Sequence, residues 1–205
     1  MQRTAAIHIV DPDPGTAAAV RGLFASQAPQ LRTYRTAADF RDGRDNHRPA
    51  CVICELTLPD QCGIQLVRQI RGGSCPLPVI VLAERPTVRA TVDAMIAGAM
   101  FVLEKPADSP SLQKLISGAI QKDADRMLRC QDVRQLKARF ELLSPREREV
   151  AEHIFRGLET KAVAAQLGIS PKTVEYHRAQ IFAKMEVSNA VQLTVALLKL
   201  EQIGD

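Results

Sequence analysis

Short apolar runs and amphipathic stretches alternate along the first 120 residues. Near-continuous apolar runs lie at Ala5–Val10, Cys51–Cys54, Val79–Ala83 and Phe101–Leu103, with a weaker one near Leu31–Tyr34. Between them, helical spacing of apolar residues covers Gly15–Ser26, Ala37–Asp45, Ile64–Arg71, Thr87–Ala97 and the chain from Ser111 onward. Five strands alternating with five helices predict an α/β domain built on a five-stranded parallel doubly wound sheet. Strands that are apolar throughout fit burial on both faces. Working residues in such a sheet gather at the carboxyl ends of the strands. Here those positions are Asp11, Glu55, Ala83 and Lys105.

The pattern then turns wholly helical. Leu112, Leu115, Ile116 and Ile120 form one face suited to packing on the sheet, and beyond Gln121 the apolar positions thin to Met127, Val133, Leu136 and Phe140. Ser111–Phe140 reads as one long helix or two, with residues 122–142 as a charged helical linker. Its apolar repeat is too short for a coiled coil. Ser144-Pro145-Arg146-Glu147 combines an N-cap, a proline at the first helical position and an acid three residues after the serine. Gly157 closes that helix, Thr160–Leu167 is a second stopped by Gly168, Ser170-Pro171 caps a third reaching about Met185, and Ser188 opens a fourth. A short helix, a tight glycine turn and a capped helix outline a helix-turn-helix. The predicted domains are therefore 1–121, a linker at 122–142, and an all-α four-helix domain at 143–205.

Composition changes this picture little. A length of 205 residues suits two small domains, and with no Trp and 4% aromatics the cores must be mainly aliphatic. The apolar run AAIHIV is too short for a signal peptide or a membrane span, so a soluble cytoplasmic protein with no membrane partner is expected. The five cysteines do not suggest a disulfide framework, and Cys51 and Cys54, three apart on a strand, should point to opposite faces as buried small hydrophobes. No nucleophile–base pair, phosphate-binding loop or metal triad is present, so neither an enzyme nor a cofactor is expected. Charge is uneven: net +2 over residues 1–120, +3 over 121–140 and −1 over 141–205.

In the third helix of the C-terminal domain, Val174, Ile181 and Met185 share one side, while Lys172, Glu175, Tyr176 and Ala179 lie on another. A mixed polar face near a helix N-terminus suits the reading of base edges in the major groove. A solvated face of a small bundle has the same pattern, and the net negative charge fits that alternative, because non-specific DNA affinity is cationic. The stretch LSPREREVAEHIFRGLETKAVAAQLGISPKTVEYHRAQIFAKMEV decides between them, since it closely resembles the LuxR-type helix-turn-helix of NarL/FixJ response regulators. That resemblance covers 143–200 and implies that Thr160–Leu167 is the scaffold helix and that Pro171–Met185 enters the major groove of double-stranded DNA. It places Glu175, Tyr176 and Ala179 at base-contacting positions. Lys161, Lys172, Thr173, His177 and Lys184 are candidates for phosphate contact or support, with packing an equal alternative for His177. The fourth helix resembles the family's dimerisation helix and implies a homodimer, at least on DNA.

The first domain then resembles a receiver, on HIVDPDP, the LPD turn and LEKP. A working receiver has two acids after the first strand for Mg²⁺, an acceptor Asp, a hydroxyl, a Lys and a switch aromatic. Carried over, Asp11 is the first acid, the second position is Pro12 with Asp13 one residue late, the acceptor is Glu55, the hydroxyl position is Ala83, the Lys is Lys105, and the switch position is Val102 beside Phe101. Mg²⁺ demands near-octahedral oxygen ligation at about 2.0–2.1 Å. A Glu carboxylate lies about 1.5 Å beyond that of Asp, a shift that in-line phosphoryl transfer does not absorb. The expected function is a sequence-specific transcriptional regulator controlled independently of aspartyl phosphorylation, with abundance, a protein or small-molecule partner at the receiver, or nearby thiols as its input. The alternative is a non-DNA adaptor that titrates a kinase or another regulator. Glu55 either imitates a phosphorylated Asp through Lys105 or is a relic, a solvated strand end with a salt bridge to Lys105.

Overall fold

The computed structural model describes residues 4–24, 29–45, 47–73 and 75–201. The chain divides into two compact units, residues 1–127 and 128–205. In the first, β1 (Ala6–Val10), α1 (Pro14–Leu23), β2 (Gln30–Tyr34), α2 (Ala37–Gly43), β3 (Ala50–Glu55), α3 (Gly63–Arg71), β4 (Val79–Ala83), α4 (Val88–Ala97) and β5 (Phe101–Glu104) alternate, and α5 (Ser109–Glu141) follows. The five strands pair in parallel in the order β2-β1-β3-β4-β5. The order reverses at β1 and β3, so the crevice expected of a doubly wound sheet lies at their carboxyl ends.

Strand residues alternate between two apolar layers, as a period of two requires. Ile7, Ile9, Cys51, Ile53, Ile80 and Leu82 meet α1 and the Leu112, Ile116 and Ala119 face of α5. Val10, Val52, Cys54, Val79 and Val81 meet Phe40, Leu66, Val67, Ile70 and Ala94 on the other side. Cys51 and Cys54 thus lie in opposite layers, both fully buried. Burial pushes the Cys51 thiol up to about 12 and the Cys54 thiol up as well, so neither supplies a thiolate. Phe101 and Val102 also face opposite layers.

Local signals set the helix starts. Asp13 accepts from the Gly15 N–H, Thr36 and Asp39 form a capping box, and Thr87 caps α4. The helix expected over Gly15–Ser26 is observed as Pro14–Leu23, and its predicted end at residues 25–26 lies outside the described residues. Residues 111–140 lie in one helix, α5, not two. At the amino ends of the strands, Asp123 of α5 holds the Arg48 guanidinium, with Nε 3.0 Å away, and accepts from the Ala50 N–H at 2.8 Å. This fully buried carboxylate fastens α5 beneath β3.

The second unit contains the end of α5, then α6 (Pro145–Phe155), α7 (Thr160–Leu167), α8 (Pro171–Met185) and α9 (Ala190–Glu201). Val150, Ile154, Val163, Val174, Ile181, Met185 and Leu193 form its core. Ser144 and Glu147 make a full capping box and Ser170 caps α8 through the Thr173 N–H. Gly168 turns the chain between α7 and α8 at φ 64°, a region glycine enters without steric cost. Helix α9 starts two residues later than Ser188 suggested, because Asn189 Oδ1 accepts the Gln192 N–H and acts as the cap.

Candidate functional site

Asp11 follows β1, Glu55 ends β3, Ala83 ends β4 and Lys105 follows β5, so the parallel register gathers all four at one edge of the sheet. The Lys105 ammonium lies 2.6 Å from Asp11 Oδ2 and 2.5 Å from Glu55 Oε2. Burial opposes its charge, but the hydrogen bonds and charges of Asp11 and Glu55 outweigh burial and raise its pKa. Lys105 is a fixed cation between two carboxylates.

Glu55 curls back on its own backbone. Its Oε1 accepts from the Leu56 N–H at 2.8 Å and the Thr57 N–H at 3.3 Å, while Oε2 takes Lys105. Two backbone donors, the first shared with the Leu82 carbonyl oxygen at 3.1 Å, and one ammonium therefore converge on a single carboxylate. The turn is tight enough that a Cβ on Gly63 would lie 2.2 Å from the Glu55 carbonyl oxygen, so only glycine starts α3 there. Ala83 adds no hydroxyl.

The other acids are engaged as well. Asp11 Oδ1 accepts from the Asp13 N–H at 2.8 Å, and Oδ2 accepts from the Thr16 hydroxyl at 2.7 Å as well as from Lys105. Asp13 faces α1, accepting from the Gly15 N–H at 2.9 Å. The Pro12 side chain offers no ligand atom. Mg²⁺ needs free carboxylate oxygens in octahedral array, and here an ammonium already sits against Asp11 and Glu55. These residues do not fit the ion. Thr16 carries no sequence signal of this role, since a hydroxyl five residues after an acid, just inside a helix, is too common a pattern to single out.

In the second unit, α8 presents Lys172, Glu175, Tyr176 and Ala179 as exposed residues, with Thr173 and His177 half-buried beside them, and Lys161 is exposed on α7. The Thr160 hydroxyl at the start of α7 donates to Glu175 Oε1 at 2.6 Å, tying the two helices of the motif together. The Tyr176 and His177 rings meet edge to face, 5.8 Å apart. Lys184 is engaged inside the unit: its ammonium bonds both oxygens of buried Glu147, at 2.9 and 2.6 Å. Burial works against the Glu147 carboxylate, but Lys184 and the Ser144 N–H hold its pKa below the usual range. Helix α9 exposes Val191, Val195 and Leu198 along one stripe.

The model of the response regulator receiver domain matches residues 7–117, and that of bacterial regulatory proteins of the luxR family matches residues 141–197. The chain is 29% identical over 200 residues to the transcriptional regulatory protein FixJ of Bradyrhizobium diazoefficiens, covering 97% of each. Identity to FixJ of Azorhizobium caulinodans is 30% over 200 residues, covering 97% of this chain and 94% of that protein. The solved structure of the response regulator StyR is similar with a TM-score of 0.82 at 29% identity, covering 96% of this chain and 99% of that one. Full-length FixJ from B. japonicum is similar with a TM-score of 0.56 at 27% identity, covering 97% and 98%.

Proposed function

The chain belongs to the response regulators that join a receiver domain to a luxR-family DNA-binding domain, and from that membership we propose a sequence-specific, cytoplasmic transcriptional regulator whose receiver works without aspartyl phosphorylation. One observation carries this: the Glu55 carboxylate itself takes the Leu56 and Thr57 N–H groups and the Lys105 ammonium. An anion is thereby supplied by the chain itself. An incoming phosphoryl group would have to displace it, with no hydroxyl at Ala83 and no Mg²⁺ site to help.

DNA binding is assigned to α8 in the major groove. Glu175, Tyr176 and Ala179 face base edges, and Lys161, Lys172, Thr173 and His177 lie toward the backbone, where they position the helix without reading sequence. The Glu147 bridge supports a role for Lys184 in holding α6 on α8 over one in phosphate contact. The Val191, Val195 and Leu198 stripe of α9 is the proposed homodimer contact on DNA, with half-sites about one helical turn apart.

Genome-wide mapping of bound DNA for the wild type and Glu55→Ala tests these roles together. Discrete promoter peaks are expected for the wild type. Their weakening in Glu55→Ala would assign Glu55 an active role, and unchanged peaks would reduce it to a structural ion pair. Absence of any wild-type peak would overturn the DNA-binding assignment in favour of an adaptor.

A further inference from the structure

Resting on the DNA-binding role proposed above, we infer that Glu175 specifies a cytosine in each half-site, with Thr160 as the residue that positions its carboxylate. A carboxylate on a DNA-facing surface is repelled by phosphates, so it costs affinity unless a base donor meets it. Two bases offer an exocyclic amino donor in the major groove, cytosine through N4 and adenine through N6. Adenine sets the N7 acceptor beside its donor, where a second carboxylate oxygen meets lone pair with lone pair. Cytosine does not, and it is the natural partner of Glu.

The geometry supports a pre-oriented acceptor. The Glu175 side chain is 60% exposed, yet Oε1 is held by the Thr160 hydroxyl at 2.6 Å and Oε2 lies 3.6 Å from Arg178 Nε. The Arg178 guanidinium is itself stacked on the Phe182 ring at 5.5 Å. An ionised carboxylate has about four lone-pair sites, so these two contacts leave others facing outward. A long, flexible side chain is thus fixed before DNA arrives, which lowers the ordering cost of one base contact. Thr160 belongs to α7 and Glu175 to α8, so the relative placement of the two helices sets where the acceptor points.

Site selection from a random duplex library with the full-length protein tests this. One cytosine position per half-site is expected to lose its preference in Glu175→Gln and Glu175→Ala, while the other positions hold. Thr160→Val should weaken preference at that same position alone. Replacing that cytosine by pyrimidin-2-one, which lacks the 4-amino group, should weaken wild-type binding by about tenfold and leave Glu175→Ala unaffected. The base replacement leaves the wild-type protein untouched, so equal affinity for the modified site refutes the inference even if a variant folds poorly. A motif unchanged in Glu175→Gln, or equal wild-type affinity for the modified base, overturns the inference alone. Failure of the wild type to select any motif overturns the DNA-binding role with it.

Discussion

Removing Lys105 should expose how strongly the sheet edge depends on one cation. In Lys105→Met the aliphatic stem stays and the ammonium goes. Asp11 and Glu55, with side chains 1% and 11% exposed, then face each other without their shared counter-charge. Breaking a buried pair by deleting one partner costs about 3–5 kcal/mol. Here the Thr16 hydroxyl and the Asp13, Leu56 and Thr57 N–H groups still serve the two carboxylates, and Lys105 is 18% exposed, so the cost should fall to about 2–3 kcal/mol. The chain has two Tyr and no Trp, and Tyr34 packs in the receiver core against His8 and Phe40. Urea unfolding followed by Tyr34 fluorescence in a Tyr176→Phe background therefore reports on the receiver alone. At an m-value of about 2 kcal/mol/M the midpoint should drop by about 1–1.5 M. A double-mutant cycle with Glu55→Gln should show coupling above about 1 kcal/mol. A loss below about 0.5 kcal/mol, or additive single variants, would refute the picture of Lys105 as the shared counter-charge.

Other consequences are as direct. His8 is fully buried, and burial pushes its imidazole down from 6.5 to about 4; the unfolded chain binds the extra proton first, so the receiver should lose about 3 kcal/mol as pH falls from 6.5 to 4, and His8→Phe should flatten that slope. Lys184→Met should destabilise the DNA-binding unit by about 1–3 kcal/mol without changing the salt dependence of DNA affinity, measured by paired thermal melts and salt titrations. Since the Glu147 pKa is depressed, its contribution is present above the ordinary carboxylate range and is lost as pH falls through its folded value, a loss that Lys184→Met should reduce. Gly63→Ala should shift the β3–α3 turn by forcing its Cβ onto the Glu55 carbonyl oxygen, seen as amide shift changes at Leu56 and Thr57.

What local pattern encodes was legible in the chain. Strand apolarity located β1, β3, β4 and β5 to within a residue or two, and the Ser144 and Ser170 caps placed their helices because capping acts within three residues. The signal for β2 was weaker for a physical reason: Gln30 and Thr33 are exposed, so it lacks the continuous apolar run of β1 beside it. Contacts between distant residues were less legible. The Glu55–Lys105 pair was anticipated from the family resemblance, but Thr16 on Asp11, the turn of Glu55 onto the Leu56 and Thr57 N–H groups, and Thr160 on Glu175 depend on side-chain directions that periodicity does not carry. Arg48 with Asp123 and Glu147 with Lys184 join positions 75 and 37 residues apart, where a single sequence gives no reason to pair those charges and not others.

The central claim is that the receiver supplies its own anion. The most direct measurement is the affinity of the full-length protein for its selected DNA site, with and without acetyl phosphate and Mg²⁺, alongside the intact mass of the protein. Unchanged mass and an affinity constant within about twofold, less than 0.5 kcal/mol, are the predicted result. A covalent phosphoryl adduct on Glu55, accompanied by tighter DNA binding, would contradict it.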